Sequence, residues 1–276
     1  MKKRILVTDI DGTLSHGEEV HPDVAAACTR LRENGWEIMV ATGRILATSN
    51  NHIKAIGAWL PAIVYDGARL MDPLTGKSLW EAALSSRAVD MVLTEGWSAP
   101  LELQIFTDEA AICRKKDKET RLFLTEADVP VYDNLQTPHV DERVFRIIFY
   151  GSEHEVLQLE ERIGETLHDH VDVMRSGKNF LDVVPLGVSK GAALSHYVDQ
   201  LQPGPEILVA AGDHCNDLAL FDIAHLRVAP RDAVPQILER AHVVMPPAHA
   251  QGFVRLIDFL LSGHWTNSSR TKRVVL

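Results

Sequence analysis

The sequence has few cysteines, no long hydrophobic run and no excess of basic charge. Its three cysteines, Cys28, Cys113 and Cys215, are scattered and form no CxxC spacing, so neither a disulfide framework nor a structural zinc site is indicated. The apolar run that follows the basic start is interrupted at Asp9, which makes it too short for a signal peptide, and no segment reaches membrane-spanning length. We therefore expect a cytoplasmic protein without a membrane partner.

The charge balance is acidic. The 276 residues carry a formal net charge of -10, and 46% of them are hydrophobic. An acidic surface argues against a general nucleic-acid binder, because such proteins neutralise phosphates with lysine and arginine. A small anionic ligand remains compatible with this charge, and the apolar content suffices for one large core or two smaller ones.

The two ends of the sequence alternate β-rich segments with segments of helical periodicity. Near the start, strands are predicted at residues 5–7, 37–41 and 62–65, with helices at 24–31 and 45–56 between them. From residue 189 onwards helices again alternate with strands, at 206–211 and 227–229. This pattern predicts an α/β fold with a doubly wound, mainly parallel sheet.

The middle of the sequence has a different pattern. Strands are predicted at 101–106, 110–114 and 144–150, and helices at 86–95 and 153–167. We therefore predict an inserted α+β domain at residues 82–184. The core domain is then discontinuous and consists of residues 1–81 and 185–276.

The tail from His264 onwards is polar and basic. It contains Arg270, Lys272 and Arg273. Because chain ends are usually poorly ordered unless they are packed, we expect a frayed terminus without a binding role.

Carboxylates follow two of the predicted strands. Asp9 and Asp11 lie in residues 9–13 (DIDGT), and Asp213 and Asp217 lie in residues 212–217 (GDHCND). Aspartates are common turn formers beside glycine, but two unit charges 4 Å apart repel by about 4 kcal/mol at an effective dielectric of 20. If the two strands are neighbours, up to four carboxylates face one crevice, and such oxygen ligands favour Mg²⁺ over zinc.

A zinc site at His214 and Cys215 is disfavoured. Neighbouring residues in a loop point apart, and no further cysteine or histidine lies at ligand spacing. Loop packing is the simpler interpretation of this pair.

Two further segments are suited to phosphate. Thr42 and Gly43 end the second predicted strand, where a hydroxyl and backbone N–H groups could receive phosphate oxygens or could simply cap the next helix. Lys190 follows Ser189, a predicted N-cap, and could place its ammonium over a phosphate. Taken alone, Lys190 would be an ordinary exposed lysine.

Together these segments resemble the four ordered motifs of the haloacid dehalogenase (HAD) superfamily of phosphotransferases. The matching positions are residues 9–13, Thr42–Gly43, Lys190 and residues 212–217. The large insertion and residues 187–191 (GVSKG) resemble the IIB subfamily with a C2B-type cap, which includes Cof-like and sucrose-phosphate-phosphatase-like enzymes. The resemblance spans essentially the whole chain and implies a Rossmann-like core.

The resemblance implies a role for each matched residue. Asp9 would be the nucleophile that forms an aspartyl-phosphate, and Asp11 the acid and base. Mg²⁺ would be bound by Asp9, Asp213 and the backbone carbonyl of Asp11, with Asn216 and Asp217 supporting the ligands or a bound water. Thr42, Gly43 and Lys190 would receive the phosphate.

The resemblance also implies that the inserted domain covers the crevice and reads a small phosphorylated metabolite, commonly a sugar phosphate. Lys178 and Asn179 are our candidates for this contact, and Arg143 and Arg146 are alternatives. Asp66 and Gly67 stand where the subfamily commonly has Asn-Gly, and Asp182 where glutamate is frequent. These departures leave the substrate open, and Asp66 and Gly67 are added as candidate substrate contacts.

Three other functions remain open. A sugar phosphomutase on the same fold would return the phosphoryl group to a sugar, and a phosphosugar sensor would bind without turnover. A receiver-like signalling domain also gathers aspartates, a threonine and a lysine, but it is usually one small domain. For the phosphatase we expect a monomer or homodimer.

Overall fold

The computed structural model of the chain describes residues 3–108, 110–114, 129–132, 135–201, 204–265 and 273–276. The chain forms two compact units, one consisting of Met1–Leu79 and Ser189–Leu276 and the other of Trp80–Val188. The domain boundaries predicted from the sequence, residues 82 and 184, lie within the second unit. No helix in the described part of the chain is long and apolar enough to cross a membrane.

The elements alternate between strand and helix at both ends of the chain. The first are β1 (Arg4–Thr8), α1 (Pro22–Glu33), β2 (Trp36–Val40), α2 (Leu46–Ala55), β3 (Ala62–Val64), β4 (Arg69–Met71) and β5 (Ser78–Glu81). The middle contains α3 (Ser86–Gly96), β6 (Glu102–Thr107), β7 (Ala111–Cys113), β8 (Val131–Tyr132), β9 (Val144–Tyr150), α4 (Glu153–Leu167), β10 (Val171–Gly177) and β11 (Phe180–Pro185). The last are α5 (Lys190–Asp199), β12 (Ile207–Ala211), α6 (Leu218–Ile223), β13 (Leu226–Pro230), α7 (Pro235–Arg240), β14 (Val243–Met245), α8 (Gly252–Ser262) and β15 (Val274–Val275).

A parallel sheet forms the centre of the first unit. Among the described residues its strand order is β15-β14-β13-β12-β1-β2. Strand β1 pairs in parallel with β12 on one side and β2 on the other, and its Ile5, Leu6 and Val7 are fully buried. A continuous apolar run is what a strand covered on both faces requires. This sheet confirms the predicted fold class.

Among the helices of the first unit, α8 buries a clear apolar face. Helix α8 buries Phe253, Leu256, Ile257 and Leu260, which are spaced three and four residues apart and therefore share one face. Helix α8 packs against α1. Full burial of each such side chain stabilises the fold by about 1.5–3 kcal/mol. This packing holds the sheet whose strand ends carry the loops of the site.

The second unit has its own sheet and core. Its described strands run in the order β10-β11-β9-β6-β7-β8 and are antiparallel except for the β7–β8 pair. Apolar residues of α3 and α4 form one buried cluster with alternating strand residues such as Leu103, Ile105 and Ile147. Because strand side chains alternate between faces, this cluster covers one face of the sheet.

The expectation of a frayed C-terminus is wrong for the described part of the tail. Strand β15 pairs in parallel with β14 and aligns Val274 with Val243. Nη2 of Arg273 donates to the carbonyl of Leu238 at 2.7 Å, where the end of α7 leaves carbonyls without helical partners. Residues 273–275 are therefore anchored to the sheet edge. Arg270 and Lys272 lie outside the described residues.

Candidate active site

The candidate residues of the first unit follow the carboxyl ends of neighbouring parallel strands. Asp9 directly follows β1, and its N–H donates to the carbonyl of Ala211 at the end of β12 (3.0 Å). Thr42 lies just beyond β2, and its N–H donates to Ile63 of β3 (2.8 Å). In an open α/β sheet the crevice outside these strand ends is where ligands bind.

The loop after β1 folds back tightly toward the β12 side. The N–H groups of Leu14 and Ser15 both donate to the carbonyl of Ile10, and Gly12 has a φ of +78°. A β-carbon at Gly12 would lie 2.7 Å from Oδ2 of Asp213, so only glycine allows this approach. The hydroxyl of Thr13 donates to Oδ1 of Asp213 (2.8 Å), a contact that was not predicted from the sequence.

Three carboxylates converge at this edge. Asp9, Asp213 and Asp217 each place an oxygen within 4.8 Å of the others. Burial raises the pKa of Asp9 well above its ordinary value; the charge of Lys190 opposes this shift, and the charges of Asp217 and Asp213 add to it. Burial together with the charge of Asp217 raises the pKa of Asp213 to about 7. A cation placed among these groups would offset their repulsion.

Lys190 is the buried cation of the site. Its side chain is 1% exposed, and Nζ donates to Oδ1 of Asp9 and to Oδ1 of Asp217, both at 2.7 Å. Burial alone would lower the pKa of Lys190, but the charges of Asp217 and Asp9 raise it above its ordinary value. Lys190 is therefore a permanent positive charge beside the Asp9 carboxylate, and not the exposed lysine that its sequence position alone allowed.

Close backbone contacts place Lys190 at the start of α5. The side chain of Ser189 caps the helix by accepting from the N–H of Ala192 (3.0 Å), as predicted. A β-carbon at Gly67 would lie 2.1 Å from the carbonyl oxygen of Ser189, and one at Gly191 would lie 2.3 Å from that of Ala219. Both glycines therefore let α5 approach its neighbours closely enough for Lys190 to reach the cluster.

Asp11 does not belong to the carboxylate cluster. Its oxygens accept from Nε and Nη2 of Arg44 at 2.8 and 2.6 Å. The same guanidinium donates to both oxygens of Glu18, at 2.7 and 3.1 Å. Arg44 and Glu18 were missed as site residues, although Arg44 stands directly after the Thr42–Gly43 motif, which was the available signal.

Thr42 and Gly43 form the loop that follows β2 and is hydrogen-bonded to β3. Thr42 is buried, and its hydroxyl accepts from the N–H of Arg44 (3.1 Å). A β-carbon at Gly43 would lie 2.9 Å from Oδ2 of Asp66. The structure thus brings the predicted phosphate-binding pair next to Asp66.

Asp66 and Asn216 join two loops of the site. The Asn216 amide donates to Oδ1 of Asp66 at 2.8 Å, and Asp66 is fully buried. Oδ2 of Asp217 accepts from the N–H groups of Asp213 (3.0 Å) and His214 (3.3 Å). With Lys190 on its other oxygen, Asp217 is held as a support for its loop.

The remaining candidates lie in the second unit. Lys178 and Asn179 form the exposed turn between β10 and β11, where the Asn179 amide donates to the carbonyl of Gly151 (2.6 Å). Arg143 forms an ion pair with Glu81. Arg146 forms a buried ion pair with Asp182, whose other oxygen accepts from Ser176 at 2.5 Å.

The donor set of the acidic cluster fits a hard divalent cation. In the described part of the chain, the group that could hold a metal contains carboxylates and neither histidine nor cysteine. Oxygen ligands suit Mg²⁺, whereas zinc sites in proteins are built largely from sulfur and nitrogen. Burial, and to a smaller degree the neighbouring carboxylates, raises the pKa values of Asp9 and Asp213, and a cation at the cluster would oppose this shift by favouring the ionised carboxylates.

A buried lysine among carboxylates at the carboxyl edge of a parallel sheet marks this edge as a candidate active site. A sequence model of the haloacid dehalogenase-like hydrolases matches residues 6–257, and the chain belongs to this family. The family resemblance inferred from the four motifs is therefore confirmed.

Two relatives cover most of the chain. HMP-PP phosphatase of Citrobacter koseri is 25% identical over 248 residues, covering 85% of this chain and 86% of that protein. The 5-amino-6-(5-phospho-D-ribitylamino)uracil phosphatase YwtE of Bacillus subtilis is 24% identical over 294 residues, covering 95% and 99%. Both are named phosphatases, which confirms the predicted class of enzyme.

The fold has solved counterparts. The structure of the HAD subclass IIB sugar phosphatase BT4131 matches with a TM-score of 0.77 and 18% identity, covering 94% of this chain and 99% of that one. This likeness establishes the shared fold, in agreement with the predicted IIB architecture.

Proposed function

We propose that the protein is a Mg²⁺-dependent phosphomonoester hydrolase that acts through an aspartyl-phosphate on Asp9. The observation that carries this proposal is the position of Lys190, whose ammonium lies 2.7 Å from a carboxylate oxygen of Asp9 at the end of β1. A buried cation on this carboxylate favours its ionised form, which a nucleophile requires.

In the first step, an oxygen of Asp9 attacks phosphorus, the new O–P bond forms, and the bond from phosphorus to the substrate oxygen breaks. Asp11 protonates the departing alkoxide and then takes a proton from the water that attacks the aspartyl-phosphate. That attack breaks the Asp9–phosphorus bond and releases inorganic phosphate. In the structure both oxygens of Asp11 accept from the Arg44 guanidinium, which fixes the orientation of this carboxyl group.

Other residues would bind the phosphoryl group and the cation. Lys190 and the hydroxyl of Thr42 in the Thr42–Gly43 loop would receive the phosphoryl oxygens. Asp9, Asp213 and the backbone carbonyl of Asp11 would hold Mg²⁺, while Asp217 and Asn216 support the loop that carries Asp213. When bound, Mg²⁺ would neutralise negative charge on the transferred phosphoryl group.

The proposed substrate is a small phosphorylated metabolite, and a sugar phosphate is our first choice. Relatives named for HMP-PP and for a phosphoribitylamino-uracil, and a neighbour named a sugar phosphatase, support this class. The inserted unit is proposed as the cap that excludes water and reads the leaving group, with Lys178 and Asn179 as candidate contacts. The scattered cysteines support a cytoplasmic location.

The test is release of inorganic phosphate from a panel that contains sugar phosphates, HMP-PP and the phosphoribitylamino-uracil, with Mg²⁺ or with EDTA. Asp9→Asn should lower turnover by about 10⁴-fold or more, as the loss of a nucleophile does in other enzymes. Asp258→Asn, an exposed aspartate of the same unit, is the matched control. Phosphate release that survives Asp9→Asn would contradict the proposal.

A trapping experiment separates the proposed chemistry from its alternatives. Acid-quenched enzyme should retain ³²P from a labelled substrate, and hydroxylamine should remove the label, as expected of an acyl phosphate. Transfer of the label to a second sugar without phosphate release would identify a phosphomutase. Binding without either product would identify a sensor.

A further inference from the structure

Asp66 occupies a strained and fully enclosed position between the loops of the site. Its φ and ψ are 53° and 27°, a left-handed conformation that non-glycine residues adopt infrequently, and Tyr65 before it also has a positive φ of 53°. Backbone strain of this kind persists where the surrounding structure holds it, and it is common at functional sites.

Backbone hydrogen bonds fix this turn to the phosphate-binding loop. The N–H of Asp66 donates to the carbonyl of Thr42 (3.2 Å), and the N–H of Tyr65 donates to that of Arg44 (3.1 Å). The side chain of Asp66 lies against Gly43, where an added β-carbon would be 2.9 Å from Oδ2. The carboxylate therefore has a fixed position next to the loop.

The partner of this carboxylate is an amide, and its orientation matters. Nδ2 of Asn216 donates to Oδ1 of Asp66 at 2.8 Å. A carboxylate only accepts hydrogen bonds, whereas an amide offers both donors and an acceptor. Asn216 must therefore turn its nitrogen toward Asp66 and its oxygen away from it.

We propose that Asp66 is a positioning residue that orients Asn216, so that the amide oxygen is available to the bound cation or to a water on it. Asn216 lies between Asp213 and Asp217, two members of the carboxylate cluster, and an oxygen is the atom that Mg²⁺ or its water can use. An asparagine at position 66 could donate as well as accept, so it would permit either orientation of Asn216. The identity of residue 66 thus controls cation affinity, and a contact between Asp66 and substrate is not required.

The inference rests on the proposed function, since it presupposes a cation at the cluster. Mn²⁺, whose electron paramagnetic resonance signal is lost on binding, is the probe, and binding is measured without substrate. Asp66→Asn preserves shape and should weaken Mn²⁺ binding by roughly tenfold, the lower end of the effect of removing groups that orient metal ligands. Asp258→Asn, the same change at an exposed site, should bind Mn²⁺ like the wild type.

Asn216→Ala separates orientation from loss of charge. If Asp66 acts through the amide, Asn216→Ala alone weakens Mn²⁺ binding to a similar degree, and adding Asp66→Asn to it causes no further loss. A further loss in the double variant would show that the charge of Asp66 acts directly and would overturn the inference.

The remaining outcomes distinguish the two proposals. If the wild type binds Mn²⁺ and Asp66→Asn binds it with the same affinity, this inference is overturned and the proposed metal site still stands. Absence of Mn²⁺ binding to the wild type would overturn both. Thermal unfolding in EDTA checks that the single variants are folded, and Asn216→Ala gives an independent test if Asp66→Asn is not.

Discussion

Arg44 holds both carboxylate oxygens of Asp11, at 2.8 and 2.6 Å, and keeps this side chain outside the cluster formed by Asp9, Asp213 and Asp217. The Arg44 side chain is 10% exposed, and its guanidinium also binds Glu18. Its planar fork matches a carboxylate, which a lysine ammonium would not reproduce. The proposed acid and base is therefore held in place by a residue outside the four family motifs.

Replacing Arg44 should affect turnover more than substrate binding. We expect Arg44→Gln to lower kcat by about tenfold with little change in KM, because Asp11 loses the group that orients it. Steady-state kinetics on the best substrate of the panel measure both parameters. Arg30→Gln, which removes an exposed ion pair with Asp258, serves as the control. A rise in KM with unchanged kcat would show that Arg44 binds substrate instead.

Removing the ammonium of Lys190 should destabilise the fold. In Lys190→Met, Asp9 and Asp217 remain buried without their shared cation, and breaking a buried ion pair in this way costs about 3–5 kcal/mol. Urea unfolding in EDTA gives the difference in free energy. Lys54→Met, at an exposed position of α2, should change stability little. If Lys190→Met and Lys54→Met have the same free energy of unfolding, Lys190 does not stabilise the fold through Asp9 and Asp217.

The stability of the metal-free protein should fall as the pH rises. The pKa of Asp213 is about 7 in the fold and about 3.9 in an unfolded chain, so between these values the folded state binds more protons. Stability is therefore lost progressively between about pH 4 and 7 and stays lower above this range.

Asp213→Asn tests this pH dependence. In EDTA, the melting temperature of the variant should fall less as the pH rises. At pH 8 the variant should melt at a higher temperature than the wild type. With Mg²⁺ the order should reverse, because the wild type gains the binding free energy of the cation. Parallel melting curves for the two proteins at every pH in EDTA would contradict the expectation.

Alanine substitutions at Gly67 and Gly17 together test the close packing of Gly67 against the residue that precedes α5. Both have a positive φ, 104° and 113°, so alanine strains the backbone by about 1–3 kcal/mol at either position. The β-carbon at Gly67 would also meet the Ser189 carbonyl at 2.1 Å, whereas nothing lies within 4 Å at Gly17. Gly67→Ala should therefore lose about 1–3 kcal/mol more, measured by urea unfolding. Equal losses would contradict this close contact.

Local patterns predicted much of the fold because their physical causes are local. The apolar run at Ile5 to Val7 indicated a strand buried on both faces, and Ser189 indicated a helix start. The local pattern gave a wrong prediction for the C-terminal tail, which was expected to be frayed. Residues 274 and 275 form a strand by pairing with β14, and the edge that they join does not exist until the sheet has formed.

The sequence by itself determined the chemistry available at the site. Aspartates after two predicted strands indicated a crevice of carboxylates, because the carboxyl ends of parallel strands meet at one edge. Only the tertiary structure decided the pairing of those groups. The contacts of Lys190 with Asp9, of Arg44 with Asp11 and of Asn216 with Asp66 join residues 181, 33 and 150 positions apart, and distances of this kind are set by packing of the whole core.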